Sequence, residues 1–314
     1  MQLQNILNQN STKTYKIQQL INLGLTRTEI TQIIADHYQT AANYGFVQNV
    51  YAKMQSQNTL QNNLPQAISF MPSTFNKRFG VEIESYGIQR SNLERALQTA
   101  GIAVESQSYN HNTIPKWKIV SDSSITGENS FELVSPVLQG EAGLAELKKV
   151  CEVLTRLGAK INKTCGLHIH FEAIDFNLKQ WKNIFINYAK LETTIDSFMP
   201  LSRRANNAYY CQSILQYKEA INNARSIESF TNIIQSRYHK INPHSFRRHQ
   251  TIEFRQHSGT VEFEKISNWI LFLHNLIDFS EENSVNNANF ETIKTFNNTE
   301  IIHFYQNRIN DLAA

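Results

Sequence analysis

Four short stretches of this chain alternate apolar side chains with acids and imidazoles, and that alternation limits the folds open to it. In Gly80-Val81-Glu82-Ile83-Glu84, Val81 and Ile83 fall on one side of an extended backbone and both carboxylates on the other. Phe131-Glu132-Leu133 sets Glu132 opposite two apolar neighbours. Gly166-Leu167-His168-Ile169-His170-Phe171-Glu172 alternates likewise, with His168, His170 and Glu172 on the polar side. Thr251-Ile252-Glu253-Phe254-Arg255-Gln256-His257 is expected to turn Glu253, Arg255 and His257 to one face. Residues i and i+2 of a strand share a face about 6–7 Å apart. These segments therefore specify a sheet with one face to bury and one face of acids, imidazoles and arginine.

A half-exposed face ordinarily carries Thr, Ser, Lys and Gln among its acids. Carboxylates crowded on one sheet raise one another's pKa unless a cation neutralises them. Mg²⁺ or Mn²⁺ meets that need, because hard cations take carboxylate oxygens and Mn²⁺ accepts imidazole. Glu82, Glu84, Glu132, His168, His170 and Glu253 are the candidate metal ligands. Arg255, always charged and able to hold an oxyanion through two N–H groups, suits a phosphate or a carboxylate. A single Glu-x-Glu or His-x-His pair is more often a solvated edge, and His-x-His alone also fits zinc. The fourfold recurrence is what favours a metal-bearing catalytic face.

Two neighbouring segments belong to the same reading. Asp122 stands at the tip of a turn after Lys116–Ser121, placed either to meet a ligand amine or a metal-bound water or to bond its own backbone. Arg247 and Arg248 precede the Glu253 strand, as second phosphate contacts or as surface charge. Cys165 reads as a small buried residue.

The rest of the chain has a different texture. At 314 residues, with 41% apolar and 18% charged, it can bury a sizeable core. Three cysteines without a C-x-x-C pair exclude a disulfide scaffold and point to a reducing compartment. No apolar run approaches the roughly 20 residues of a membrane span, and the Gln/Asn-rich start is unlike a signal peptide, so a soluble cytoplasmic protein is expected. Neither G-x-G-x-x-G nor G-x-x-x-x-G-K-[ST] occurs.

Residues 1–53 read as a small all-helical domain. Ile17, Leu20, Ile21 and Leu23 mark a helix ended by Gly24, and Thr26 with Glu29 forms a capping box ahead of Ile30, Ile33 and Ile34. A third helix is expected from about Thr40 to Lys53, with Phe46, Val47 and Val50 apolar. That order is helix-turn-helix-like. Residues 1–78 hold six cations against two acids, which suits DNA or another anionic partner; a helical bundle for docking fits equally. Residues 54–78, rich in Gln and Asn with Pro65 and Pro72, read as a linker.

From residue 79 to 314 the pattern switches between strand and helix periods. Strands are expected at Phe79–Tyr86, Ile102–Tyr109, Lys116–Ser121, Ser130–Ser135, Gly166–Phe171 and Thr251–His257. Ser91 and Glu94 suggest a second capping box, opening a helix closed by Gly101. Further helices run through Leu144–Leu154 to Gly158, Leu178–Phe198 and Ile266–Leu276. Irregular alternation of this kind means α+β with a largely antiparallel sheet.

FGVEIE, KWKIVSDSSI, FELVSP followed by LQG, GLHIHF, RYHKIN and TIEFRQHSGT, in that order, resemble the amidoligase family of the glutamine synthetase-like superfamily. The resemblance covers about Phe79 to Trp269. It implies a curved antiparallel sheet with flanking helices, whose concave face binds ATP with two or three Mg²⁺ or Mn²⁺. It implies a carboxylate–amine ligase working through an acyl phosphate, with Glu82, Glu132 and Glu253 bridging metals and Glu84 a candidate to share that task. His168 or His170 would hold a metal or a phosphate oxygen, Arg255 the transferring phosphoryl group, and Asp122 or Glu84 the amine's proton. Tyr238 and Asn242 match family positions beside the site. Such enzymes are frequent in bacteriophages and mobile elements, so the substrates implied are small molecules, peptides or modified bases. The alternatives are a phosphotransferase of the guanidino-kinase type and a DNA-binding regulator with a nucleotide-sensing domain.

Overall fold

The computed structural model describes residues 2–9, 11–56, 72–206 and 211–313, in two compact units, Met1–Ala67 and Ile68–Ala314. The first unit is helical. Lys13–Asn22 buries Ile17, Leu20 and Ile21. Gly24 follows at φ 80°, a left-handed conformation open to a residue without Cβ, and its N–H meets the Ile21 carbonyl at 2.9 Å. The Thr26–Glu29 capping box forms in both directions and opens Arg27–Tyr38. The next helix, Tyr44–Ser56, starts later than the expected Thr40 because Asn43 caps it, accepting from the Phe46 N–H at 2.9 Å. A further helix, Gln2–Leu7, hidden by the Gln/Asn-rich start, adds Ile6 and Leu7 to the core. Phe46 stands outside that core, exposed beneath Lys13.

The unit's positive charge is engaged within it. Lys16 donates to the Leu7 carbonyl at 2.6 Å, and Lys13 sits over the Tyr38 and Phe46 rings. Arg27 lies over Tyr51 and bonds Gln48. Most of the expected linker, residues 57–71, lies outside the described residues. On its near side Met54–Ser56 complete a helix, and on its far side Phe75 is already part of the second unit's core.

The second unit is a mostly antiparallel open sheet of eight strands with helices. The strands are β1 (Arg78–Ser85), β2 (Val104–Ser106), β3 (Trp117–Val120), β4 (Phe131–Val134), β5 (Leu138–Gln139), β6 (Gly166–Glu172), β7 (Ile241–Asn242) and β8 (Thr251–Ser258). Their order is β2-β3-β4-β1-β6-β8-β7, with β5 beside β1, and only β2 and β3 run parallel. Val81, Ile83, Leu133, Ile169 and Phe254 join one core with the helices Gly140–Arg156, Leu178–Ser197 and Phe263–Glu282. A C-terminal helix, Thr299–Ala313, adds Tyr305 to it.

Two local expectations fail for identifiable reasons. Arg90–Thr99 begins before Ser91, its N-cap Gln89 makes no side-chain bond, and Glu94 accepts instead from the Ser106 hydroxyl at 2.6 Å. In β8, Leu167 pairs with His257 while Ile169 pairs with Phe254, so β8 carries one extra residue. This β-bulge puts Phe254 and His257 on the same side, and His257 leaves the acidic face. It is fully buried, 5.6 Å from the Trp269 ring.

Burial, with help from Arg308, pushes the His257 imidazole down to about 3. The unfolded imidazole titrates near 6.5, so stability is complete above that pH and lost as pH falls toward the folded value. At pH 4.5 the loss is about 2–3 kcal/mol. Urea unfolding at pH 7.5 and 4.5 should show His257→Asn losing less stability on acidification by that amount. Equal slopes for the two proteins would refute it.

Candidate active site

Strand register assembles the site. Glu84 lies opposite Glu132 across β1 and β4, Glu82 opposite His168 across β1 and β6, and His170 opposite Glu253 across β6 and β8. A slip of one residue would send all of them to the helix side. Glu82 Oε2 meets His168 Nδ1 at 2.9 Å, and Glu82 Oε1 lies 3.3 Å from His170 Nε2. Glu84 Oε1 is 3.6 Å from His168 Nε2, while its Oε2 accepts from the Gly166 N–H at 2.6 Å. Glu253 Oε1 is paired with Arg255 and lies 3.7 Å from His168 Nδ1. Asn242 donates to Glu253 Oε2 at 2.5 Å, and His170 Nδ1 meets the Thr251 hydroxyl at 3.0 Å. Glu172, expected on this face, sits at its edge in an exposed pair with Arg78.

Charge is unevenly balanced over this floor. Burial pushes the Glu82 carboxyl up, but His170 and His168 together carry it well below the ordinary range. Burial is likewise outweighed at Glu253, chiefly by Arg255 and then His170. Arg255 offsets only part of the rise at Glu132. It is 9% exposed, burial raises its carboxyl well above the usual value, and Glu82, Glu84 and Asp122 raise it further. Among the described residues no hydrogen-bond donor reaches it.

Three overlapping groups have donor atoms within 4.8 Å of one another: Glu82, His170 and Glu253; Glu82, Glu132 and His168; Glu84, Asp122 and Glu132. His170 Nε2 is buried without a hydrogen bond, turned toward Glu82 and Glu253. An orphaned imidazole nitrogen and a buried carboxylate that accepts no hydrogen bond, both in oxygen-rich groups, are what a hard divalent cation would satisfy. The residues fit Mg²⁺ or Mn²⁺.

Above the floor is a cleft of about 1050 Å³. It brings together every site residue expected from sequence: Glu82, Glu84, Asp122, Glu132, His168, His170, Arg247, Arg248, Glu253 and Arg255, with Tyr238 and Asn242. Asp122 bonds its own turn, its Oδ1 accepting from the Ser124 N–H and hydroxyl, each at 2.7 Å, and it also belongs to one of the donor groups. Acids form the floor, and the exposed Arg237, Arg247 and Arg248 line the same cleft. A second pocket of about 130 Å³ opens beside it and shares Glu82, Glu132 and His170.

Several lining residues escaped sequence reasoning. Lys118 is buried in β3 and donates to the Asn112 carbonyl at 2.6 Å and to Asn110 Oδ1 at 3.2 Å, tying the 107–116 loop to the sheet. Its alternation in Trp117-Lys118-Ile119 was the available signal. Arg203, Arg237, Tyr109 and His111 come from loops with no local pattern.

Gly166 is where the floor is tightest. A Cβ there would lie 2.9 Å from His168 Nε2 and 3.4 Å from Glu84 Oε2. Gly166→Ala must displace the ring or the carboxylate, and misplacement on the ångström scale costs about 10²-fold in turnover. Its catalytic rate should fall by that factor with the melting midpoint nearly unchanged; an unimpaired enzyme would show that this corner is not used.

Among the described residues no helix is long and apolar enough to cross a membrane. Cys151, Cys165 and Cys211 are buried thiols without a disulfide, and burial pushes Cys151 up to about 12. No curated protein matches the chain. A family model described as "Putative amidoligase enzyme" matches residues 76–277, a span that contains β1 through β8 and the whole acidic floor. The chain belongs to the amidoligase family, whose chemistry is the joining of carboxylates to amines.

Proposed function

We propose that the protein is an ATP-dependent carboxylate–amine ligase working through an acyl phosphate. A substrate carboxylate oxygen bonds to the γ-phosphorus of ATP, and ADP leaves with the bridging oxygen. The amine nitrogen then bonds to the acyl carbon, phosphate departs with its oxygen, and the amine proton passes to a base. Bound Mg²⁺ or Mn²⁺ would neutralise charge gathering on the phosphoryl oxygens.

The chain's own residues have distinct tasks. Glu82, Glu132, Glu253 and Glu84 with His168 or His170 would hold metal. Arg247 and Arg248 suit the polyphosphate, and Arg255, fixed by Glu253, suits the transferring group. Alternatively, His168 or His170 would meet a phosphate oxygen. Asp122 and Glu84 are the candidate proton acceptors. The observation that carries the reading is Glu132, a buried carboxylate shared by two donor groups that accepts no hydrogen bond among the described residues and that burial and neighbouring acids hold well above the usual range.

The test is ATP consumption with Mg²⁺ and mixed amines and amino acids. ADP with stoichiometric phosphate is expected. ADP without phosphate, with a phosphorylated guanidine, would replace this reading by the guanidino-kinase one. No turnover in any mixture, with nucleotide still bound, would favour a sensor.

For residues 1–53 the structure favours docking over DNA, because Lys13, Lys16 and Arg27 are engaged internally. The full chain and a chain lacking residues 1–60 should elute alike from immobilised DNA. Salt-sensitive retention lost on that deletion would restore the DNA reading.

A further inference from the structure

Arg203 ends a short 3-10 turn, Leu201–Arg203, that follows the long helix Leu178–Ser197. It is 3% exposed, yet it lines the main cleft. Its Nη2 donates to the Cys165 carbonyl at 2.6 Å. A guanidinium carries five N–H donors, and among the described residues this carbonyl is its one hydrogen-bond partner. No carboxylate among them forms an ion pair with it. A charge taken out of water is costly unless it is paired, and this one faces a cleft.

Its pose is built from behind the sheet. Strand alternation places Gln256 on the helix side with Ile252 and Phe254, where Nε2 donates to the Arg203 carbonyl at 3.3 Å and to Asp196 Oδ1 at 2.5 Å. Asp196 also accepts from the Ala205 N–H at 2.8 Å and from the buried Lys240 at 2.7 Å. Both flanks of the turn are thus held. On the cleft side, Arg203 Nη2, Glu84 Oε2 and His168 Nε2 converge on the space that a Gly166 Cβ would fill, at 3.5, 3.4 and 2.9 Å. The guanidinium borders the Glu84 end of the floor, beside the Glu84, Asp122 and Glu132 donor group.

Resting on the ligase reading, we propose that Arg203 binds an oxyanion of the reacting substrates at the inner end of the cleft. A planar fork of donors suits either source of that oxyanion, the terminal phosphoryl group of ATP or the carboxylate to be activated. Arg203 differs from the exposed Arg237, Arg247 and Arg248 in being buried and held on both sides. It is a fixed contact rather than a mobile clamp.

Arg203→Lys and Arg203→Gln test this in the full chain, since each keeps a donor for the Cys165 carbonyl. Two probes are used with Mn²⁺: AMP-PNP against ADP by titration calorimetry, and carboxyl-¹³C acetate by its paramagnetic relaxation at saturating ADP. A phosphoryl source predicts AMP-PNP affinity at least tenfold weaker with ADP affinity unchanged, a split that a structural role would not produce. A carboxylate source predicts at least a fivefold loss of acetate relaxation with AMP-PNP affinity unchanged. Variants that melt normally and bind both probes like the parent overturn the proposal. If both variants melt far below the parent, ¹⁵N-arginine spectra of the parent with Mg²⁺ and each probe decide. A shifted buried guanidinium signal supports the contact, and spectra unchanged at every arginine sink it. A parent that binds neither Mn²⁺ nor AMP-PNP overturns the ligase reading itself, a separate result from any difference between parent and variants.

Discussion

Glu132→Gln is expected to lower metal-dependent turnover sharply while raising the melting midpoint of the metal-free protein. The two effects have one origin. Glu132 is buried opposite Glu84 on the neighbouring strand, and Glu82 and Asp122 add to the repulsion. Glutamine has the same shape without the charge, so the metal-free fold should gain about 1–2 kcal/mol, in line with relieving an unpaired buried charge. In a unit of this size that is roughly 2–4 °C for each kcal/mol. Turnover moves the other way, because the carboxylate belongs to two of the three donor groups. A fall of about 10³-fold in kcat/KM, some 4 kcal/mol of transition-state stabilisation, is the expected scale. Saturating Mn²⁺ should reverse the order of melting, since ligand that binds only the folded state stabilises the parent by mass action. Calorimetric scans with EDTA and with Mn²⁺ read both signs. A variant less stable than the parent in EDTA, or one that keeps full turnover, would remove the basis for a metal at Glu132.

How much of this was open to inspection in the chain follows from the reach of each signal. Glu82, Glu84, Glu132, His168, His170 and Glu253 were legible because a period of two is local, and antiparallel pairing of such strands stacks their polar sides. The bulge was not legible. Arg255, Gln256 and His257 are polar in succession with no glycine before Gly259, which does not say which face each takes, and the partner strand's register reveals the extra residue. Ser91 and Glu94 had the spacing of a capping box, but Glu94 found a long-range donor in Ser106 and the helix began one residue before Ser91. Charge counts at the N-terminus are limited for a related reason. A tally of lysines cannot show that Lys16 is buried against the Leu7 carbonyl. Arg203 was missed because loops acquire their meaning from what they pack on, whereas Lys118 carried a strand alternation that was there to be read.

Lys240→Met should be the most damaging single change to stability away from the floor, at about 3–5 kcal/mol. Lys240 is fully buried, with Nζ 2.7 Å from Asp196 Oδ1 and 3.5 Å from Glu192 Oε2. Methionine fills a similar volume, so the loss is electrostatic rather than a cavity. It leaves two carboxylates without their cation. Glu192 retains the Ser213 hydroxyl at 2.5 Å and the Ile214 N–H at 2.7 Å, yet burial already holds its carboxyl above the usual range. A loss of that size is a large part of a typical domain's total of roughly 5–15 kcal/mol. If the cost comes from the orphaned acids, neutralising them must return much of it, and Glu192→Gln with Asp196→Asn in the Lys240→Met background should be more stable than Lys240→Met alone. A triple variant as unstable as the single would show that Lys240 acts through packing instead. Because Asp196 also holds Gln256 and the Ala205 N–H, the single variant should lose turnover beyond its unfolded fraction at a temperature where it remains folded. The triple variant should not regain that turnover fully, since the asparagine introduced by Asp196→Asn can offer Gln256 only a neutral acceptor.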